Sequence, residues 1–105
     1  MVIGNVTKDT VISVIEGTSV RLRELGVCSI GLFGSFVRDQ ARADSDVDLL
    51  VEFNPGDKTF NNFMDACFLL EDLLNRRVEL VTKESLSPYI GPHVLEEVEY
   101  VPLSN

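Results

Sequence analysis

Two aspartates stand at the start of an apolar stretch in the middle of the chain. Residues 45–53 read SDVDLLVEF, and their apolar residues are typical of a strand that enters a core. Residues two apart in a strand point to the same face, so Asp46 and Asp48 would project together, with Cα atoms roughly 6.5 Å apart. Such a pair resists burial unless cations or protons compensate its charge. Arg38 and Arg42 could help, but Mg²⁺ is the simpler compensation because hard cations prefer carboxylate oxygens.

A third carboxylate repeats this pattern further along the chain. Glu79 lies inside the apolar segment VELVT, between Val78 and Leu80. It would lie beside Asp46 and Asp48 if the two strands pair. Three carboxylates on one cleft form a ligand set for two divalent ions about 3.5 to 4 Å apart, which can activate an attacking oxygen and stabilise a leaving phosphate.

The segment FGS, residues 33–35, is predicted to join a strand to a helix. Gly34 permits close approach of the backbone, the amides at a helix start point outward, and the hydroxyl of Ser35 adds a donor. Arg38 follows about one helical turn later and could reach a phosphate oxygen. The sequence therefore predicts an anion site at Gly34, Ser35 and Arg38.

Each feature also has an interpretation without catalysis. A Gly-Ser pair before a helix is often a turn and a cap, and an Asp-x-Asp at a strand end is often an exposed turn. Glu79 alone could be an edge-strand residue paired with Arg76 or Arg77. The combination of all three features, in this order, favours a phosphate and metal site.

The elements that must position these residues follow from periodicity and turn signals. Gly26 stands where a helix commonly ends in a left-handed residue. The patterns predict helices over residues 7–25, 35–42 and 60–75, strands over 27–33, 47–53 and 76–82, and a short helix with Pro92 in its first turn. This order is typical of an α/β or α+β fold in which helices pack on a small sheet. Spacing alone does not fix the strand directions.

Length and composition limit the functions that the chain can have. Its 105 residues, 45% of them hydrophobic, predict one domain over residues 1–105. Seventeen acidic and nine basic residues give a net charge of -8, which disfavours general nucleic-acid binding. The absence of a long apolar run or a secretory signal predicts a cytoplasmic protein without a membrane segment. Cys28 and Cys67 are predicted to be small buried side chains.

The residues GLFGSFVRDQARADSDVDLLVEF, together with a later acidic residue in another strand, resemble the signature of the DNA polymerase β-like nucleotidyltransferase superfamily. Within it, the chain is most similar to the minimal nucleotidyltransferases (MNT), including the MntA-type antitoxins of HEPN/MNT toxin–antitoxin modules. The resemblance covers nearly the whole chain, including VELVTKESLSPYI and the tail HVLEEVEYV. It implies a nucleotidyltransferase fold with a small mixed sheet.

The resemblance also implies roles for individual residues. Gly34 and Ser35 would hold a nucleoside triphosphate, and Arg38 matches the basic residue of the extended Gly-Ser motif. Asp46 and Asp48 would bind Mg²⁺, with two ions expected, and Glu79 would bind metal or accept the proton of the attacking hydroxyl. The implied reaction is transfer of AMP from ATP to a hydroxyl, for MNT antitoxins a tyrosine of the HEPN toxin, with release of pyrophosphate.

The sequence departs from the family pattern at Asp39, where glycine is usual, and this charge is expected to weaken nucleotide binding. The alternative function is a catalytically weak module that neutralises a HEPN partner by masking it. A small-molecule transferase is disfavoured because no second domain could hold its substrate. His93 is expected at the surface or at a helix cap, whereas Tyr89 and Tyr100 could be partner contacts or core rim. Homo-oligomerisation stays open.

Overall fold

The computed structural model describes residues 6–103. These residues form helices α1 (Lys8–Gly17), α2 (Ser19–Glu24), α3 (Phe60–Leu74) and α4 (Gly91–Glu97), and strands β1 (Val27–Phe33), β2 (Val47–Phe53), β3 (Val78–Thr82) and β4 (Glu99–Tyr100). The strands lie in one sheet in the order β3-β2-β1-β4. The pair of β2 and β3 is parallel, while β1 runs antiparallel to both β2 and β4. The predicted small mixed sheet with packed helices is confirmed.

The apolar run of β2 is explained by its position inside the sheet. Val47, Leu49 and Val51 are buried, and Leu50, which points to the opposite face, is buried as well. A strand covered on both faces reads as continuous apolar sequence. The helices contribute their apolar faces to the same core, through Val11, Ile15, Leu22, Ala66, Leu70 and Leu74.

The helix predicted over residues 7–25 is two helices. The chain leaves helical geometry at Thr18, with φ -110° and ψ 16°, between α1 and α2. Gly17 has low helix propensity, and Thr18 and the following serine favour caps over helix interiors. The left-handed end predicted at Gly26 is confirmed by its φ of +89°.

The helix predicted over residues 35–42 is wrong. Only a 3-10 turn over Gly34–Phe36 forms, so Ser35 lies inside this turn and is not a helix N-cap. Asp39 adopts a left-handed φ of +58°, which a right-handed helix cannot include. The amide of Gln40 instead donates to the Ser35 carbonyl at 2.8 Å and closes the turn.

The second half of the chain largely follows the prediction. Helix α3 ends at Asn75, which is left-handed with φ +52°, and Pro92 lies in the first turn of α4. Phe60 shares the helical spacing of the apolar residues of α3, but it lies at the exposed start of this helix, with 78% of its surface accessible. Strand β4 was not predicted because two residues carry no periodicity. No helix within residues 6–103 is long and apolar enough to cross a membrane.

The two cysteines do not behave alike. Cys67 is half-buried on α3, whereas Cys28 on β1 is exposed, against the prediction that both are buried. The apolar neighbours of Cys28 do not show which face of the strand this residue occupies, because alternate residues of a strand point to opposite faces.

Candidate active site

The parallel pairing of β2 and β3 places two acidic residues side by side. Asp48 and Glu79 are Cα partners across the two strands. Partners in register project from the same face of a sheet, so their carboxylates share one surface. On its other side Asp48 is the partner of Phe33, the last residue of β1. The expectation that the strands carrying Asp48 and Glu79 pair is confirmed.

Gly34 follows Phe33 directly and brings the turn against Asp48. Its φ of +80° lies in the left-handed region, and its backbone is buried. A Cβ at this position would overlap Oδ2 of Asp48 and lie 3.0 Å from its Cγ. The site therefore requires glycine here for both conformation and space.

An open cleft of about 480 Å³ lies over this junction, within the range of small-molecule sites. Its polar lining comes from Gly34, Arg38, Asp48 and Glu79, together with Ser85 and Ser87. Its apolar lining comes from Phe33, Val81, Leu86, Ile90 and Val94. A cleft with both kinds of lining can take a ligand that has charged and apolar parts.

Two of the predicted site residues lie beside this cleft and not in its lining. Asp46 precedes β2 and is half-buried, and Ser35 is half-buried in the 3-10 turn. The structure thus brings Gly34, Arg38, Asp48 and Glu79 together and leaves Ser35 and Asp46 at the margin.

The surroundings of Asp48 disfavour the charged form of its carboxyl. Burial, followed by the charges of Glu79 and Asp46, raises the pKa of Asp48 from 3.8 to about 6. The Arg38 guanidinium opposes this rise, and the Glu97 carboxylate adds to it. Asp48 therefore lies in a negative environment that a cation would relieve.

Glu97, at the end of α4, was missed by sequence reasoning. Its Oε2 accepts a hydrogen bond from the amide of Gly34 at 2.8 Å. Nη1 of Arg38 donates to Oε1 at 2.9 Å and to Oε2 at 3.1 Å. Glu97 is 59 positions from Arg38 in a tail rich in acidic residues, so nothing in its local sequence distinguishes it.

The donor set fits divalent metal in its chemistry, since Asp46, Asp48 and Glu79 offer the oxygen ligands that Mg²⁺ prefers. Burial, followed by the charges of Glu79 and Asp46, raises the pKa of Asp48, and a bound cation would oppose this rise. Among residues 6–103, no three acidic, histidine or cysteine side chains are arranged as ligands around one point.

The raised pKa of Asp48 makes a prediction for stability in the absence of divalent ions. Since the folded-state pKa exceeds the unfolded value, the native state binds more protons between about pH 4 and 6, and stability falls as pH rises through this range. Asp48→Asn removes the buried charge. After allowance for partial exposure, we expect it to raise the free energy of unfolding by about 1 to 2 kcal/mol at pH 8.

Urea unfolding in EDTA from pH 4 to 8 measures this effect. The gain should disappear towards pH 4, where the wild-type carboxyl is protonated, and Asp44→Asn in the exposed turn should show no such trend. A loss of stability in Asp48→Asn at pH 8 would contradict the unfavourable environment described above.

Asp39 occupies the position where the resemblance leads us to expect glycine. Its φ of +58° is a conformation that glycine adopts without strain and that aspartate tolerates better than most residues. Its exposed side chain lines a separate depression with Thr7, Lys8 and Phe36. Asp39 follows Arg38 directly in the chain but is not among the residues that line the cleft.

A mixed sheet that carries a Gly-Ser turn beside paired acidic strand residues defines the nucleotidyltransferase class. The sequence matches the family Nucleotidyltransferase domain over residues 15–101, and the chain belongs to this family. It is 44% identical over 96 residues to the protein adenylyltransferase MntA of Thermococcus cleftensis, covering 90% of this chain and 96% of that protein. The enzyme class is that of a nucleotidyltransferase, and the resemblance to the MNT proteins is confirmed.

Solved structures share the fold. A protein provisionally described as a minimal nucleotidyltransferase superposes with a TM-score of 0.77 at 33% identity, covering 89% of this chain and 94% of that one. The MNT antitoxin structure solved with a tri-AMPylated HEPN toxin of Shewanella oneidensis superposes with a TM-score of 0.60 at 20% identity. That match covers 89% of this chain and 73% of the other, and at this identity it shows the fold alone.

Proposed function

We propose that this protein transfers AMP from ATP to a hydroxyl of a HEPN-domain partner, with Mg²⁺ bound, and acts as its antitoxin. The acceptor in this proposal is a tyrosine. The observation that carries the proposal is the parallel register of Asp48 and Glu79 beside the Gly34 turn and Arg38. The relationship to a protein adenylyltransferase over 96% of that protein supports AMP as the transferred group.

In this proposal each residue has a distinct task. Gly34 permits the triphosphate to approach the backbone, while Ser35 and Arg38 donate to phosphate oxygens. Asp46, Asp48 and Glu79 would hold the metal, which supplies positive charge to the phosphates and to the attacking oxygen. Glu79 is exposed on an edge strand, where it can also accept the proton of the hydroxyl.

The bonds that change follow from the reaction class. The hydroxyl oxygen of the acceptor forms a bond to the α-phosphorus of ATP, and the bond between that phosphorus and the bridging oxygen of pyrophosphate breaks. The hydroxyl proton leaves to a carboxylate of the cleft, and pyrophosphate carries away the electron pair. The open cleft leaves room for a side chain of a macromolecular acceptor above Asp48 and Glu79.

A HEPN partner is proposed because the fold neighbour from S. oneidensis is an MNT antitoxin in complex with a tri-AMPylated HEPN toxin. We further propose that residues 1–105 form one minimal nucleotidyltransferase domain that acts in the cytoplasm. The alternative of a masking module depended on the Asp39 charge as a sign of lost activity. Asp39 lines a separate depression and not the cleft, so the enzymatic proposal is preferred and the masking module is kept as the alternative outcome of the test.

Mass spectrometry of a HEPN protein encoded beside this chain tests the proposal. After incubation with this chain, ATP and Mg²⁺, we expect a mass gain of one or more AMP units on the HEPN protein. The gain should be absent with Asp46→Asn, which changes one charge at the margin of the cleft. Fragment spectra identify the acceptor residue. A stable complex with no mass gain would overturn the enzymatic proposal and favour the masking module instead.

A further inference from the structure

Glu97 contacts both parts of the cleft that would receive a phosphate. Its carboxylate accepts from the Gly34 amide at 2.8 Å and from Nη1 of Arg38 at 2.9 and 3.1 Å. Only 24% of its side chain is accessible, compared with 50% for Arg38. A partly buried carboxylate with two separate donors is held more firmly than an exposed ion pair.

These hydrogen bonds orient the guanidinium of Arg38 but do not involve all of its donor groups. Both hydrogen bonds from Arg38 to Glu97 come from Nη1, and Nε donates to Gln40 at 3.2 Å. Among the described residues, no acceptor contacts Nη2. Because the guanidinium is a rigid plane, fixing Nη1 and Nε fixes the direction of Nη2 as well. One edge of the guanidinium therefore stays available for an anionic ligand.

The same carboxylate connects α4 to the polar lining of the cleft. Glu97 is the last residue of α4, and Val94, one turn earlier, contributes to the apolar lining. Gly34 and Arg38, which contact Glu97, contribute to the polar lining. A shift of α4 would therefore act on Gly34 and Arg38 through the Glu97 carboxylate.

From this geometry, and resting on the proposed function, we propose that Glu97 is a positioning residue that sets Arg38 and the Gly34 turn for the ATP phosphates. The opposite interpretation is that Glu97 competes with the phosphates for the same donors. The two predict changes of opposite sign. Loss of a positioning residue weakens ATP binding, whereas loss of a competitor strengthens it.

Steady-state kinetics of AMP transfer to the HEPN partner test this inference with Glu97→Gln and Glu97→Ala. We expect Glu97→Gln to raise KM for ATP about 10-fold, since it loses the charged contact with Arg38 but can still accept from Gly34. Glu97→Ala should raise it further because both contacts are lost. We expect kcat to change less than about 3-fold, since the groups around the reacting atoms are intact.

Glu96→Gln is the matched control, because Glu96 is an exposed neighbour on the same helix and the charge change is identical. It should leave KM unchanged. Calorimetric titration with Mg²⁺ and a non-hydrolysable ATP analogue should reproduce the order of affinities. Thermal unfolding of each variant measures folding independently of activity.

The outcomes separate this inference from the proposed function. If the wild-type chain binds no Mg²⁺-ATP analogue, the proposed function fails and the inference with it. If the wild type binds but Glu97→Gln binds equally well or more tightly, only the positioning role is overturned. If both Glu97 variants lose their cooperative unfolding transition, Glu97 serves the fold, and the positioning role is likewise overturned.

Discussion

Asp48→Asn should lower the rate of AMP transfer about 1000-fold, which corresponds to a loss of about 4 kcal/mol of transition-state stabilisation. Asp48 lines the cleft, paired with Glu79 on the neighbouring strand and adjacent to Gly34. An amide keeps the size of the side chain but loses the anionic oxygen that a divalent ion would bind. The measurement is the rate of AMP incorporation into the HEPN partner at saturating ATP and Mg²⁺.

Asp48→Asn is also expected to stabilise the metal-free protein. Lost activity together with increased stability distinguishes a catalytic role from a structural one. An inactive variant that is more stable than the wild type cannot owe its inactivity to unfolding, and it shows that the carboxylate is kept at a cost in stability. Asp44→Asn, at the exposed turn before β2, should retain full activity. Activity of Asp48→Asn within about 10-fold of the wild type would remove Asp48 from the proposed metal ligands.

Gly34→Ala should destabilise the fold by about 3 kcal/mol and lower AMP transfer at least about 100-fold. The left-handed φ of +80° strains any residue with a Cβ. The new methyl group would also overlap Oδ2 of Asp48 and must displace either the turn or the carboxylate. Urea unfolding gives the stability change, and the transfer assay gives the change in activity.

Gly56→Ala separates the two contributions. Gly56 has a similar φ of +85°, but a Cβ there meets no atom within 4 Å. Gly56→Ala should lower the free energy of unfolding by about 1 kcal/mol, and this loss measures the backbone strain alone. Gly34→Ala should lose more stability than Gly56→Ala. This additional loss should largely disappear when Gly34→Ala is combined with Asp48→Ala, because the overlapping Oδ2 atom is then absent. Equal losses of stability in Gly34→Ala and Gly56→Ala would show that the Asp48 side chain is free to move.

Local sequence predicted most of the elements because each rests on nearby residues. The apolar run of β2 indicates a strand that enters the core, and the helical spacing of apolar residues in α3 indicates a helix that packs on the sheet. The prediction failed where one backbone angle decides the outcome. The pattern of residues 35–42 permits a helix, but the left-handed Asp39 ends it after one 3-10 turn.

The sequence by itself determined the chemistry of the site: two aspartates two residues apart at a strand start, a further glutamate in another strand, and a Gly-Ser turn. The tertiary structure decided which of these groups meet. Asp48 lies beside Glu79 because β2 and β3 pair in parallel, and the register of a sheet depends on contacts between distant segments. Glu97 joins the site for the same reason, since only the packing of α4 brings its carboxylate to Gly34 and Arg38.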